Sequence, residues 1–149
     1  MVRLQRANSL VLELKNKKRL IVPLALGLIM TLVQQHNIRH ATLDTKIGFL
    51  SSIVEVDEDL ARKILNCESG LTHKTKDNIN KDGSKDIGIG QINEKYHGKE
   101  MKKAGLNIRD ETDNLVYSFY LMGRNNLRDY SASKSCWAKQ SIVKANTDT

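Results

Sequence analysis

The stretch DEDLARKILNCESG, residues 57–70, decides the reading of this chain. Asp57, Glu58 and Asp59 set negative charge where a helix dipole is positive, which marks a helix start at or just before Asp57. Leu60, Ala61, Ile64 and Leu65 recur at the spacing of one buried face. Gly70 supplies the left-handed residue on which helices stop. Carrying the periodicity forward puts Glu68 on the side of the buried stripe, four residues after Ile64 and three after Leu65. A carboxyl there is expected to be partly desolvated, and it sits in the last turn at the negative dipole end. Both effects push its pKa up, which is what a general acid near neutral pH requires. The plainer alternative is a helix-end Glu that swings out to water.

Downstream, residues 71–85 are polar and carry an Asp82-Gly83 turn signal. IGIGQI, residues 87–92, alternates with glycine and predicts an extended piece or tight bend. Within DGSKDIGIGQIN, residues 82–93, Gly88 and Gly90 permit close backbone approach, and Gln91 and Asn93 offer amide donors and acceptors. Such a segment suits the wall of a groove for a polymer rich in hydroxyl and amide groups. A helix is expected near 95–104, stopping at Gly105. The last strong helix is expected after a Thr112 or Asp113 cap, with Leu115, Val116, Phe119, Tyr120 and Met122 on its inner face. The body therefore reads as mainly α, with a short extended segment.

The chain has 149 residues and a hydrophobic share of 40%, enough for one core and too little for two. A single proline and nine scattered glycines exclude collagen-like and low-complexity classes. The net charge of +7 is unevenly spread. Residues 1–19 hold six basic residues against Glu13, leaving 18 basic and 16 acidic in the rest, so the body is nearly balanced and gives no nucleic-acid signal. Directly after the basic cluster, LIVPLALGLIMTLV, residues 20–33, has the form of a signal-peptide hydrophobic region. It is shorter than the roughly 20 residues of a spanning helix, and TLVQQHNIRHA offers no small-x-small cleavage site. A cleaved signal and a retained inner-membrane anchor both stay open, as does a buried core helix. The expected organisation is a signal or anchor segment at 1–35, a lead-in with a short helix at 36–54, a functional domain at 55–138 and a tail at 139–149. Cys67 and Cys136 either pair, if the domain is exported, or are two buried thiols.

CESG at 67–70 followed by DGSKDIGIGQIN at 82–93 resembles the lytic transglycosylases of the lysozyme superfamily, in particular the SLT-like branch of secretion-associated and phage muramidases. The resemblance spans roughly residues 57–130, about half of the chain. DNLVYSFYLM, residues 113–122, looks like the family's Asn-Ile helix with Asn114 at its asparagine. Tyr130, in DYSAS, falls where the family has Tyr-Asn-Ala-Gly, and Ser131 and Ser133 depart from that motif. The resemblance implies a lysozyme-like α+β domain, exported to the periplasm or tethered to the inner membrane facing it. It implies cleavage of peptidoglycan between N-acetylmuramic acid and N-acetylglucosamine, with neither metal nor other cofactor, and a secretion machine or a phage virion as further partners. Glu68 would be acid and then base, closing a 1,6-anhydro ring on the muramoyl C6 hydroxyl. Ser69 would support Glu68 by a hydrogen bond, while Asp86, Gln91, Asn93, Asn114 and Tyr130 would meet the glycan. Asp86 also matches the aspartate of hydrolytic lysozymes, which leaves hydrolysis by two carboxylates as the nearest alternative.

Two alternatives of other classes stand beside it. Asn78, Asn80, Asp82, Gly83, Ser84 and Asp86 fall at positions 1, 3, 5, 6, 7 and 9 of a calcium-loop register, but position 12 is Ile89 where a bidentate Glu is needed. A non-catalytic glycan or partner clamp is the other. His36, His40, His73 and His97 lack metal-ligand spacing. Trp137 reads as packing for the C-terminal end of the core, with sugar stacking as its alternative. Lys99, Lys102 and Lys103 read as a solvated helix face.

Overall fold

The computed structural model describes residues 27–29, 31, 38–74, 76–124 and 127–139. The basic cluster, most of the apolar run of the expected signal or anchor, and residues 140–149 of the expected tail lie outside the described residues. Of the apolar run, Ile29 packs on the core. No helix among the described residues is long and apolar enough to cross a membrane.

Helix α1 (Leu43–Val54) starts at Thr42, whose hydroxyl accepts from the Thr45 amide, and ends at Glu55 in the left-handed conformation. Helix α2 (Glu58–Ser69) follows at once. Asp57 caps it by accepting from the Leu60 amide, and Gly70, at φ 71°, closes it with its N–H on the Asn66 carbonyl. The polar segment then forms a small antiparallel sheet of β1 (Asn78–Ile79), β2 (Lys85–Ile87) and β3 (Ile92–Asn93) in that order. Its register sets Asp86 opposite Asn78 on one side and Asn93 on the other. Helices α3 (Glu94–Lys103) and α4 (Glu111–Arg124) follow, then a 3-10 turn at Arg128–Tyr130 and a short helix α5 (Lys134–Trp137). The architecture is mostly helical with a small three-stranded sheet.

The core is one cluster centred on α4, which is buried from Thr112 to Phe119 on every side. Of its expected inner face Leu115, Val116, Phe119 and Met122 are buried and Tyr120 is half-buried, and Tyr117, Ser118 and Leu121 are covered too, because helices, sheet and 3-10 turn surround it. The cap lies earlier than the sequence indicated. Asp110 accepts from the Asp113 amide, so Thr112 and Asp113 belong to the first turn. Asp113 instead takes the Asn107 amide on one oxygen and Arg39 on the other, at 2.6 Å.

The segment set aside as a lead-in joins this core. Ile47 and Leu50 of α1 are fully buried against α2 and α4, and Lys46 reaches Glu111 at 2.8 Å. Arg39 and Lys46 thus bind the acidic first turn of α4, where positive side chains meet carboxylates rather than the helix dipole itself.

Cys67 of α2 and Cys136 of α5 form a disulfide across 69 residues of sequence. Closing a loop of that length stabilises the fold by about 4 kcal/mol on chain-entropy grounds. Reduction should therefore lower the free energy of urea unfolding by that order. A loss below about 1 kcal/mol would show that packing alone holds α5 in place.

Candidate active site

Glu68 occupies the last turn of α2, half-buried, as the helix periodicity requires. It lines a cleft of about 160 Å³ between the end of α2, the β2–β3 bend and the 3-10 turn. Burial holds its carboxyl above the ordinary value of 4.5, and the charge of Asp86 adds to the rise. A hydrogen bond from Ser133, with Oγ 2.6 Å from Oε1, pulls the other way. Desolvation is the largest of the three effects, so the net direction is upward.

Asp86 lines the same cleft from β2 and is fixed by two amides. Asn80 donates to Oδ2 at 2.9 Å and Asn93 donates to Oδ1 at 2.7 Å. Both amides also reach the Ser84 hydroxyl, which donates to Asp82. The hydrogen bond from Ser84 is the chief reason that Asp82 is lowered to about 2, and Lys95 pairs with it at 3.2 Å. Donors from the chain itself, Asn80, Asn93 and Lys95, are therefore aimed at the two carboxylates of the calcium-like register, and its first residue, Asn78, is spent in the sheet. Among the described residues no group of three or more His, Cys, Asp and Glu is arranged to hold a metal ion.

Of the residues singled out from sequence, Glu68, Asp86, Gln91, Asn93 and Tyr130 meet around this cleft. Gln91 lies at φ 46°, a left-handed backbone at a non-glycine residue, and its amide donates to the Gly88 carbonyl at 2.8 Å. That bond orients the side chain and leaves its oxygen free to accept. Tyr130 is 3% exposed and its phenol donates to the Ser118 carbonyl at 3.4 Å. Burial raises the phenol above its usual range, so Tyr130 offers the cleft a ring and no ionisable group.

Two expected site residues stand elsewhere. Ser69 is buried and donates to the Leu65 carbonyl at 3.2 Å rather than to Glu68. Adjacent residues on a helix point about 100° apart, so Ser69 turns into the core while Glu68 faces the cleft. Asn114 is fully buried behind the cleft wall. Its amide donates to the Ile87 and Ile108 carbonyls, and its oxygen accepts from the Gly90 amide. It shapes the bend that carries Gln91 instead of touching the cleft. The two glycines answer to the same packing. A Cβ on Gly88, at φ 75°, would lie 2.5 Å from Asn114 Nδ2, and one on Gly90 would overlap the Ser118 hydroxyl.

Sequence reasoning missed Ser133, His97 and Asp129. His97 lines the cleft one turn beyond Asn93, with Nδ1 3.2 Å from the Tyr117 hydroxyl, and burial lowers its pKa. The i, i+4 spacing from Asn93 was the available signal. Asp129 arrives beside Tyr130 on the 3-10 turn. Trp137 is buried and donates from Nε1 to the Tyr130 carbonyl at 3.1 Å, which makes it a support for that turn and not a stacking surface. Compared with protein-family models, curated proteins and solved structures, the chain has no significant match.

Proposed function

We propose that the chain is a peptidoglycan lytic transglycosylase of lysozyme-like fold with Glu68 as its acid and base. The observation that carries the reading is a half-buried carboxyl with a raised pKa, held in a cleft whose opposite wall presents oriented amides. Protonated Glu68 gives its proton to the glycosidic oxygen between N-acetylmuramic acid and N-acetylglucosamine, and the bond to the muramoyl anomeric carbon breaks. The carboxylate so formed takes the proton of the muramoyl C6 hydroxyl, whose oxygen closes the 1,6-anhydro ring. The proton is returned and no water is consumed. Asp86, fixed by Asn80 and Asn93, supplies a negative charge that favours protonated Glu68 and a positively charged transition state.

An exported setting fits the basic and apolar pattern of residues 1–33 and the Cys67–Cys136 bond, since such bonds persist in oxidising compartments. The glycan strand is the partner, and no cofactor enters the chemistry.

Hydrolysis is the second reading, favoured by the presence of Asp86 in the same cleft as Glu68. Mass spectrometry of muropeptides released from purified peptidoglycan separates the two. The proposal expects anhydromuramoyl ends; reducing muramic acid ends alone would replace it with the hydrolase.

A further inference from the structure

We infer that Ser133 is a positioning residue whose hydroxyl follows the proton of Glu68, turning between that carboxyl and the Tyr130 carbonyl. The inference rests on the reading of Glu68 as the acid of the site.

Ser133 Oγ lies 2.6 Å from Glu68 Oε1 and 3.1 Å from the Tyr130 carbonyl oxygen. A serine hydroxyl has one proton to donate and lone pairs with which to accept. The Tyr130 carbonyl can only accept. When Glu68 is protonated, Ser133 can donate to Tyr130 and accept from the carboxyl O–H. When Glu68 is ionised, the hydroxyl turns and donates to it, a stronger, charge-assisted bond. The Tyr130 carbonyl is not stranded by that turn, because Trp137 Nε1 also donates to it. Both protonation states of Glu68 therefore keep a partner on the same atom, with no heavy atom having to move.

The position of Ser133 supports this use. It stands at the N-cap of α5, where a serine ordinarily accepts from the amides of the first turn, and it makes no side-chain cap bond there. Its backbone carbonyl instead receives the Cys136 and Trp137 amides, which fixes the residue while leaving the hydroxyl free to turn. The Cys67–Cys136 bond joins the residue before Glu68 to the helix that Ser133 opens. The carboxyl and the hydroxyl are thereby held to each other through a covalent link three residues away on one side and one on the other.

The test uses the full chain as wild type, Ser133→Ala and Ser133→Thr. Carbon-detected NMR reads the titration of the Glu68 carboxyl, and muropeptide release gives kcat, KM and the pH profile. Removing the donor takes more from the ionised form than from the neutral one, so Ser133→Ala should raise the Glu68 midpoint. It should lower kcat by about tenfold, with KM unchanged and the alkaline limb moved up in pH with the midpoint. Ser133→Thr should restore the midpoint, kcat and the pH profile. A midpoint unmoved in Ser133→Ala would overturn the inference whether or not the protein cuts glycan. Wild type that releases nothing while the midpoint moves would instead support the coupling and overturn the glycan reading.

Discussion

Glu68→Gln should reduce release of muropeptides by about 10² to 10⁴-fold, the usual contribution of a general acid–base group, and should at the same time make the protein more stable at neutral pH. The first effect follows from removing the only atom that gives and takes the proton in the proposed cycle. The second follows from linkage. The carboxyl of Glu68 is raised above its ordinary value of 4.5 by burial, so folding disfavours its ionised form. A raised acid contributes stability that is fully present below the unfolded value and is lost as pH rises through the folded one. The Glu68 contribution should therefore fall with rising pH across that window in wild type and be absent from the glutamine variant, so the variant's advantage over wild type should widen from pH 4 to pH 7. Rate assays on purified peptidoglycan and urea unfolding at pH 4 and pH 7 read both. A variant that keeps its turnover, or that is weaker than wild type at pH 7, would contradict the assignment. The trade of stability for a poised acid is the signature a purely structural helix-end glutamate would lack.

Asn114→Leu should damage the fold severely. The substitution keeps roughly the same volume and strips three hydrogen bonds from a fully buried position. The Gly90 amide, in the cleft wall, and the Ile87 carbonyl, on β2 beside Asp86, would be left without that partner. Each buried polar group so orphaned costs about 1–3 kcal/mol, so a loss of about 3 kcal/mol or more is expected. The bend at residues 88–91 would loosen with it, and Gln91 would lose its left-handed setting. Urea unfolding measures the stability, and glycan release by the surviving folded fraction measures the cleft. A cost under about 1 kcal/mol would mean that the bend is held by its own turn and not by α4.

The parts of this molecule that could be read from its sequence are those fixed by neighbours in the chain. The helix start marked by the acidic run at Asp57, Gly70 as a stop and the side on which Glu68 emerges all follow from the charges and spacing within one helix. The glycine-punctuated bend before Asn93 was legible because glycine at 88 and 90 narrows the local choices. What it faces was not. Gly88 and Gly90 make room for Asn114 and Ser118, on a helix more than twenty residues away, rather than for a ligand. The reading of residues 36–54 as a lead-in had a similar cause. Leu43, Ile47 and Leu50 carry a helical stripe, but Phe49 and Ile53 on another side blur it, and only packing on α2 and α4 shows that α1 belongs to the core.

Ser133 was out of reach for another reason. A serine before a short helix is ordinarily explained as its cap, and its true partner stands 65 residues earlier. Ser69, next to Glu68 in sequence, drew the role that Ser133 holds in space. Sequence adjacency is a poor guide on a helix, where the next residue faces a different direction.

The most direct measurement is the ionisation of Glu68 in the unliganded wild-type chain, followed by the chemical shift of its carboxyl carbon from pH 3 to pH 8. The account predicts a midpoint above 4.5, set by burial and by Asp86 against the pull of Ser133, and a further rise when the Ser133 donor is removed. A midpoint at or below 4.5 would mean that the cleft does not keep a proton on Glu68, and the assignment of Glu68 as the acid would not stand.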